Sequence, residues 1–342
     1  MTKTVFVVDD NDTNLATAKM ALEGSYRVFT IPSAQKMFKL AEKIIPDLLL
    51  LDVDMPEMDG FQAMKRMKAD AELSRIPVMF LTAQSDAEAE VRGFELGAVD
   101  FVTKPFSAPV LLKHIEMHIG LDELIKKRTE QLIRQQNGII SVVADIVESR
   151  DQVTGGHIER TQKYLAILLK AMLGAGLYAE EIAGWDMGVV IPSAQMHDIG
   201  KNSVPDHILN KPGKLEKDEF AVIRAHAAEG ARLIDEIAGK IGGGDFLVHA
   251  RVFAAAHHEK WNGTGYPEGL AGEEIPLQGR VMAVADVYDA LISERPYKKP
   301  FSHEEAVELL KNDAGTAFDP KIIELFLSVA DEFWVEAMTV SG

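Results

Sequence analysis

Short apolar runs recur through the first third of the chain, and longer stretches with helical spacing separate them. Runs of this length are typical of strands buried on both faces, and the intervening stretches are typical of helices that cover those faces. This alternation favours an α/β domain with a doubly wound parallel five-stranded sheet, which we place at residues 1–120. The runs are Val5–Val8, Leu48–Leu51, Val78–Leu81 and Phe101–Val102.

The remainder of the chain has a different pattern. With 342 residues the chain exceeds what one hydrophobic core usually supports, so two domains are expected. Beyond Asp151 strand signals nearly vanish, and helical spacing continues, interrupted by glycine and proline loops. We therefore predict an all-helical second domain at residues 148–342.

The stretch 121–147 contains no proline and reads as one continuous helix between the two domains. Its apolar residues recur at a seven-residue interval, as in the seam of a coiled coil. The companion positions are mixed, so a short coiled coil that forms a homodimer and a plain amphipathic connector both stay open. The seam residues are Ile125, Leu132, Ile139 and Ile146.

Composition excludes several classes of site and partner. The chain has no cysteine, so any metal must bind nitrogen and oxygen ligands. A net charge of −17 argues against nucleic-acid binding, which needs a basic surface. No apolar run is long enough to span a bilayer, and the N-terminus runs into a strand pattern rather than a signal peptide. We predict a cytoplasmic protein that binds neither DNA nor a membrane.

Acidic, hydroxyl and lysine side chains stand at the ends of the predicted strands. The carboxyl ends of parallel strands meet at one crevice, so these side chains are expected to lie together. Clustered carboxylates repel one another unless a cation lies among them, and Mg²⁺ prefers oxygen ligands. The lysine would supply positive charge for a phosphoryl group. The residues are Asp9, Asp10, Asp52, Thr82 and Lys104.

These positions resemble the receiver domains of two-component response regulators, which have a flavodoxin-like fold. The resemblance is carried by Asp9-Asp10, the run from Asp52 to Gly60, Leu81-Thr82-Ala83, and Lys104-Pro105-Phe106. It implies that Asp52 accepts a phosphoryl group from a sensor histidine kinase. The implied Mg²⁺ site comprises Asp9 (through water), Asp10, Asp52 and the Asp54 carbonyl, and the implied switch residues are Thr82, Lys104 and Phe101.

The second domain contains a set of histidines and aspartates with the character of metal ligands. Asp286 lies in the otherwise apolar run Val281–Ala290, where an unpaired carboxylate would be costly to bury. Histidine and carboxylate ligands suit Fe, Mn, Ni, Co or Zn, and a cluster with one bridging aspartate suits two ions. The candidates are His157, His197, Asp198, His226, His257, His258 and Asp286.

The run from His197 to Lys201 resembles the HD metal-dependent phosphohydrolases. Within that superfamily, His257-His258-Glu259 followed by Gly263–Pro267 resembles the HD-GYP family. The resemblance implies a phosphodiesterase that hydrolyses cyclic di-GMP to pGpG and, in many members, on to GMP. It implies one ion on His157, His197, Asp198 and Asp286, and a second ion on Asp198, His226, His257 and His258.

Other residues of this domain are candidates for catalysis or substrate binding. Lys201 lies one turn after the paired ligands and could stabilise charge on a phosphate or leaving oxygen. Arg295 and Lys298 could hold a second phosphate, and Tyr266 could contact a guanine. Val153 stands where some family members carry a glutamate that binds a third ion, so two ions are expected here.

The sequence leaves three functions open. The first is phosphorylation-regulated hydrolysis of cyclic di-GMP, and the second is hydrolysis of another cyclic or linear dinucleotide, for example cyclic GMP-AMP. The third is a catalytically silent scaffold that binds a nucleotide or a protein. The complete set of candidate ligands favours an enzyme.

Overall fold

A computed structural model of the chain describes residues 2–82, 87–150, 156–294 and 299–340. The chain divides into two compact units, Met1–Ile133 and Arg134–Gly342. Among the described helices, none has the length and apolar character needed to cross a membrane.

The first unit contains a parallel sheet of five strands with the order β2-β1-β3-β4-β5. The central strands are fully buried, which explains why they are continuous apolar runs in the sequence. This sheet confirms the predicted fold. The strands are β1 (Thr4–Val8), β2 (Arg27–Ile31), β3 (Leu48–Asp52), β4 (Val78–Thr82) and β5 (Asp100–Thr103).

Helices cover the two faces of this sheet. Their starts carry the expected polar caps: the Asn11 side chain accepts from the Thr13 amide, and Asp59 forms a capping box with Gln62. The chain leaves β1 and β3 toward opposite edges of the sheet, so a crevice opens where these two strands end. The helices are α1 (Asp12–Leu22), α2 (Ala34–Ala41), α3 (Gly60–Lys68), α4 (Ala87–Glu95) and α5 (Ala108–Glu148).

The predicted linker lies inside α5, which is a single helix of 41 residues. It begins 13 residues before position 121, so the last helix of the sheet domain and the linker are one element. Gly120 does not interrupt it, because an interior glycine costs a helix only about 1 kcal/mol. The domain bounds at residues 120 and 148 stay predictions.

The second unit is helical, as predicted. Its described residues contain no strand, only the isolated bridges Asn262–Ala271 and Ala314–Phe318. The core includes the fully buried rings of Tyr164, Tyr288 and Phe333. The helices are α6 (His157–Ala175), α7 (Ala179–Ile182), α8 (Met187–Ser193), α9 (Asp206–Leu209), α10 (Lys217–Ile241), α11 (Asp245–Ala256), α12 (Leu277–Ile292), α13 (His303–Asn312) and α14 (Pro320–Val340). Short 3₁₀ turns occur at Leu73–Arg75, Ala194–Met196, Ile199–Ser203 and Gly272–Glu274.

Candidate metal centre and phosphoacceptor pocket

The crevice of the first unit brings three predicted carboxylates together. Oxygens of Asp9, Asp10 and Asp52 all lie within 4.8 Å of one another. The Lys104 Nζ contacts Asp9 Oδ2 and Asp52 Oδ1, each at 2.7 Å. Asp9 also accepts from the Asn14 side-chain amide at 3.0 Å. The arrangement fits a hard cation with oxygen ligands and a lysine beside it.

Asp52 is held in a largely buried position. Burial raises the pKa of its carboxyl, the charge of Asp9 acts in the same direction, and Lys104 opposes both. Gly60 is required behind it, because a Cβ at this position would lie 2.3 Å from the Asp52 carbonyl oxygen. A buried carboxylate with a lysine at one oxygen can present the other oxygen to a phosphoryl donor.

The other predicted residues of this pocket lie around these carboxylates. The backbone amide of Asp54 donates to the Asp52 carboxylate, while the Asp54 side chain is exposed. Thr82 is buried at the end of β4. The half-buried Phe101 ring packs 5.4 Å from Phe80 and 5.1 Å from Phe94, measured between centroids. The Mg²⁺ role of Asp54 and the switch roles of Thr82, Lys104 and Phe101 stay predictions.

The second unit gathers its predicted ligands from five places in the chain. His157 begins α6, and the pair His197-Asp198 lies between two 3₁₀ turns. His226 comes from the middle of α10 and Asp286 from α12, while His257-His258 follows the last turn of α11. All of these residues except His257 line one cavity of about 300 Å³. His257 lies behind it, with its Nε2 3.7 Å from Asp198 Oδ1.

The ligands form two groups that share Asp198. The first has donor atoms of His157, His197 and Asp198 within 4.8 Å of one another, and Asp286 Oδ1 lies 3.6 Å from His157 Nε2. In the second, Asp198, His226, His257 and His258 satisfy the same limit. The two groups contain the same residues as the two ion sites that the HD-GYP resemblance implies, and the bridging role of Asp198 stays a prediction.

The ring orientations test whether these residues fit metal ions. Four rings have Nδ1 at hydrogen-bond distance from an oxygen acceptor, so Nδ1 donates there, and in the neutral ring the lone pair is on Nε2. The contacts are His157 to Asp289 Oδ2 at 2.8 Å, His197 to the Ala194 carbonyl at 2.9 Å, His226 to the Ile223 carbonyl at 2.6 Å, and His257 to the Phe253 carbonyl at 2.9 Å.

In the neutral rings the Nε2 atoms and Asp198 Oδ1 then face one another as acceptors, whereas Asp198 Oδ2 has the Lys201 Nζ 2.8 Å away. His197 Nε2 and Asp198 Oδ1 are buried and have no hydrogen-bond partner among the described residues. His226 Nε2 and His257 Nε2 lie 3.3 Å apart, although both are acceptors in this tautomer. Buried acceptors gathered without donors are costly, and cations among them remove that cost. The residues therefore fit divalent ions.

The charge of the centre is set by Asp198 and its neighbours. Burial opposes ionisation, but Lys201 and His197 hold the pKa of Asp198 well below its usual range. The Lys201 Nζ lies 2.8 Å from Asp198 Oδ2. Burial and neighbouring imidazoles lower the pKa of His258 well below its usual value, so this ring is neutral and able to bind a metal at neutral pH.

Two residues at this centre escaped the sequence analysis. Asp289, one turn after Asp286 on α12, is fully buried and engages His157. Arg160, one turn after His157 on α6, binds Asp289 through Nε at 2.7 Å and Nη2 at 2.9 Å. A second carboxylate within the apolar run Val281–Ala290 was a signal that could have shown Asp289.

Glu259, which belongs to the HD-GYP motif but was given no role from the sequence, orders the glycine-rich loop. Its buried carboxylate accepts from the amides of Glu268, Gly269 and Leu270 at 2.8 to 3.1 Å. The loop places Tyr266 at the cavity wall, with its ring centroid 4.7 Å from that of His258.

The remaining predicted positions differ in what the structure describes. Lys201 and Tyr266 line the cavity beside the ligands. Glu148, the last residue of α5, was given no role from the sequence. It also lines the cavity, and burial raises the pKa of its carboxyl although His157 opposes the shift. The predicted substrate residues Arg295 and Lys298, and Val153, lie outside the described residues.

Comparison with known proteins matches both units. The HD domain family model matches residues 141–322, and the response regulator receiver domain model matches residues 5–116. A Vibrio cholerae serotype O1 protein named "Probable cyclic di-GMP phosphodiesterase" is 38% identical over 96% of this chain and 78% of its own length. A Xanthomonas campestris pv. campestris protein named cyclic di-GMP phosphodiesterase response regulator is 33% identical over 82% of this chain and 75% of its own. The 3′3′-cGAMP-specific phosphodiesterase 2 of Vibrio cholerae is 38% identical over 56% of this chain and 34% of its own.

Proposed function

This chain belongs to the response regulators in which a receiver domain is joined to an HD-type phosphodiesterase domain, and we propose that it hydrolyses cyclic di-GMP under the control of phosphorylation at Asp52. It is accordingly a metal-dependent phosphodiesterase. The observation that carries the proposal is the pair of ligand groups sharing Asp198, with Nδ1 of His157, His197, His226 and His257 already engaged.

Each part of the centre has a role in this reaction. Two bound ions would supply an activated water and stabilise charge on the phosphate oxygens. Water replaces one ester oxygen on phosphorus, which opens the ring to pGpG, and a second such step gives GMP. Lys201 lies beside Asp198, where its charge can stabilise the phosphate or the leaving oxygen. We propose that Tyr266, which lines the cavity, contacts a guanine, and that Arg295 and Lys298 bind the second phosphate.

The direct test is incubation of the purified protein with cyclic di-GMP in the presence of Fe, Mn, Ni, Co or Zn, with the products resolved by chromatography. The same assay with 3′3′-cGAMP decides the second candidate function, which the similarity to a cGAMP-specific phosphodiesterase favours. If the protein binds these nucleotides but hydrolyses neither of them with any of the metals, the result would favour a catalytically silent scaffold.

The number of metal ions is the first quantity we predict. Because the ligands fill two groups, and Val153 cannot bind an ion, we expect close to two transition-metal ions per chain by elemental analysis. The double variant His257→Ala/His258→Ala should lose about one of them. A stoichiometry near three, or full retention of metal by this variant, contradicts the assignment.

We further propose that α5 mediates a homodimer and transmits the receiver signal, with a sensor histidine kinase as phosphodonor and Mg²⁺ bound in the receiver pocket. The seam residues Ile125, Leu132, Ile139 and Ile146 are 56%, 64%, 67% and 60% exposed. Apolar residues exposed at this interval would be buried against the same seam of a second copy.

Beryllofluoride, which mimics a phosphoryl group on Asp52, is therefore expected to change the turnover of the intact protein. A phosphoryl group adds about 1.5 to 2 negative charges, which Thr82 and Lys104 are placed to engage. The change is measured as kcat with and without beryllofluoride. Asp52→Asn should not respond, and neither should a protein whose α5 is interrupted by a flexible glycine-serine insert. A full response of the interrupted protein would exclude transmission through α5.

A further inference from the structure

Arg150 joins the end of α5 to the segment that carries Lys201. Its amide still donates to the Val147 carbonyl at 3.3 Å, so its backbone continues the last turn of that helix. Its carbonyl accepts from the Asn210 side-chain amide at 2.8 Å. Both ends of this residue's backbone are therefore held, and its side chain starts from a defined position.

The Arg150 guanidinium binds a succession of acceptors along residues 201–206. Nη1 donates to the Asn202 carbonyl at 2.8 Å, to Asn202 Oδ1 at 3.3 Å and to the Lys201 carbonyl at 3.5 Å. Nη2 donates to the Val204 carbonyl at 3.0 Å and to Asp206 Oδ1 at 2.7 Å. Only the planar, forked guanidinium can serve so many acceptors at once, and lysine cannot replace it fully.

The segment bound by Arg150 is also fixed on its other side. A Cβ at Gly200 would lie 1.9 Å from the His226 carbonyl oxygen, so the 3₁₀ turn Ile199–Ser203 rests directly on the backbone of α10. The turn places Lys201 Nζ 2.8 Å from Asp198 Oδ2. Lys201, the proposed catalytic lysine, thus lies on a turn that is fixed between α10 on one side and the Arg150 guanidinium on the other.

We propose that Arg150 is a positioning residue that sets Lys201 against Asp198 and conveys the state of the receiver from α5 to the centre. The proposal rests on the proposed function for its activity readout. If the C-terminal end of α5 is displaced, Arg150 moves with it. The five hydrogen bonds of its guanidinium then shift the turn that carries Lys201. None of the metal ligands need move.

The test compares Arg150→Ala and Arg150→Lys with the full-length parent. In Arg150→Ala we expect kcat for cyclic di-GMP to fall by about 10- to 100-fold with KM nearly unchanged, because misplacement of a catalytic group by about 1 Å has an effect of this order. Arg150→Lys should recover part of the loss. Metal content should stay at the parent value, because Arg150 touches no ligand side chain.

The matched control is Arg251→Ala, which removes an exposed ion pair with Asp235 at 2.8 Å on the surface of α10 and α11. It should leave kcat, KM and the response to beryllofluoride at parent values. An equal loss of kcat in this control would show that the effect of Arg150→Ala is a general loss of stability.

Amide hydrogen exchange separates this inference from the proposed function, because it needs no turnover. Beryllofluoride should change the exchange of residues 199–206 in the parent and leave it unchanged in Arg150→Ala, while receiver peptides respond in both. The inference is overturned if this segment does not respond in the parent, or if it responds equally in Arg150→Ala. Absence of hydrolysis by a parent whose segment responds would reject the proposed function alone.

Discussion

Replacing Asp198 with alanine is expected to lower kcat for cyclic di-GMP by about 10³-fold or more, since removal of a single preorganised group already costs on the order of 10²- to 10³-fold. Asp198 belongs to both ligand groups, so its loss weakens both ions at once. Its half-buried carboxylate also holds the Lys201 Nζ at 2.8 Å from Oδ2. The measurement is steady-state turnover, with metal content determined on the same sample.

Two comparisons show whether this loss arises from the metal centre. Lys201→Ala should be milder than Asp198→Ala, because it removes one charge and leaves both ligand groups complete. The circular dichroism spectrum of Asp198→Ala should match the parent, since the helices are stabilised by the apolar core. Near-normal turnover of Asp198→Ala with a normal spectrum would exclude the two-metal mechanism.

Replacing Asp289 with alanine should lower the free energy of unfolding by about 3–5 kcal/mol, because it leaves the buried Arg160 guanidinium without its anion. Arg160 and Asp289 are 4% and 0% exposed, so the pair is shielded from bulk water in the parent. The change also frees Nδ1 of His157, and metal affinity should fall by about 10- to 100-fold. Urea denaturation and metal titration measure the two effects.

The pH dependence of this stabilisation has a definite sign. Although burial opposes the shift, His157 and Arg160 lower the pKa of Asp289 in the folded protein. The contribution of Asp289 to the free energy of unfolding is therefore fully present at pH values above the usual carboxyl pKa of about 3.9. It is lost as the pH falls through the lower pKa that Asp289 has in the folded protein.

Asp289→Asn and Asp331→Ala are the controls for this prediction. The amide keeps the shape of Asp289 but not its charge, so its effect should be intermediate. Asp331 has a fully exposed side chain 3.5 Å from His303, and its removal should change stability by less than about 0.5 kcal/mol. If Asp289→Ala and Asp331→Ala had the same free energy of unfolding, the ion pair between Arg160 and Asp289 would contribute nothing to the stability of the protein.

Much of the fold could be predicted because its signals are local. The runs Leu48–Leu51 and Val78–Leu81 are apolar because both faces of their strands are buried, and the aspartate or threonine that follows marks the end of each strand. The edge strand β2 (Arg27–Ile31) has no such run, since most of its residues are partly or fully exposed. It was recognisable only through its pairing with β1.

The ligand set was readable for a similar reason, because His197-Asp198 and His257-His258 are adjacent in the sequence and belong to recognisable motifs. The residues that support the ligands could not be recognised from the sequence. Arg160 and Asp289 are 129 positions apart, and Arg150 and Asn202 are 52 apart. Taken alone, each of these residues looks like an ordinary charged or polar residue of a helix or a loop.

Residue types and their local spacing were thus enough to indicate the two kinds of domain, the phosphoacceptor candidate Asp52 and the residues able to bind metal. Only the folded chain shows which ring nitrogen faces the centre and which arginine pairs with Asp289. It also shows that Arg150, at the C-terminal end of α5, binds the turn that carries Lys201. These contacts depend on how α6, α10 and α12 pack together. Helices pack because apolar surface along their whole length is buried. No short stretch of sequence therefore encodes which polar atoms the packed helices bring together.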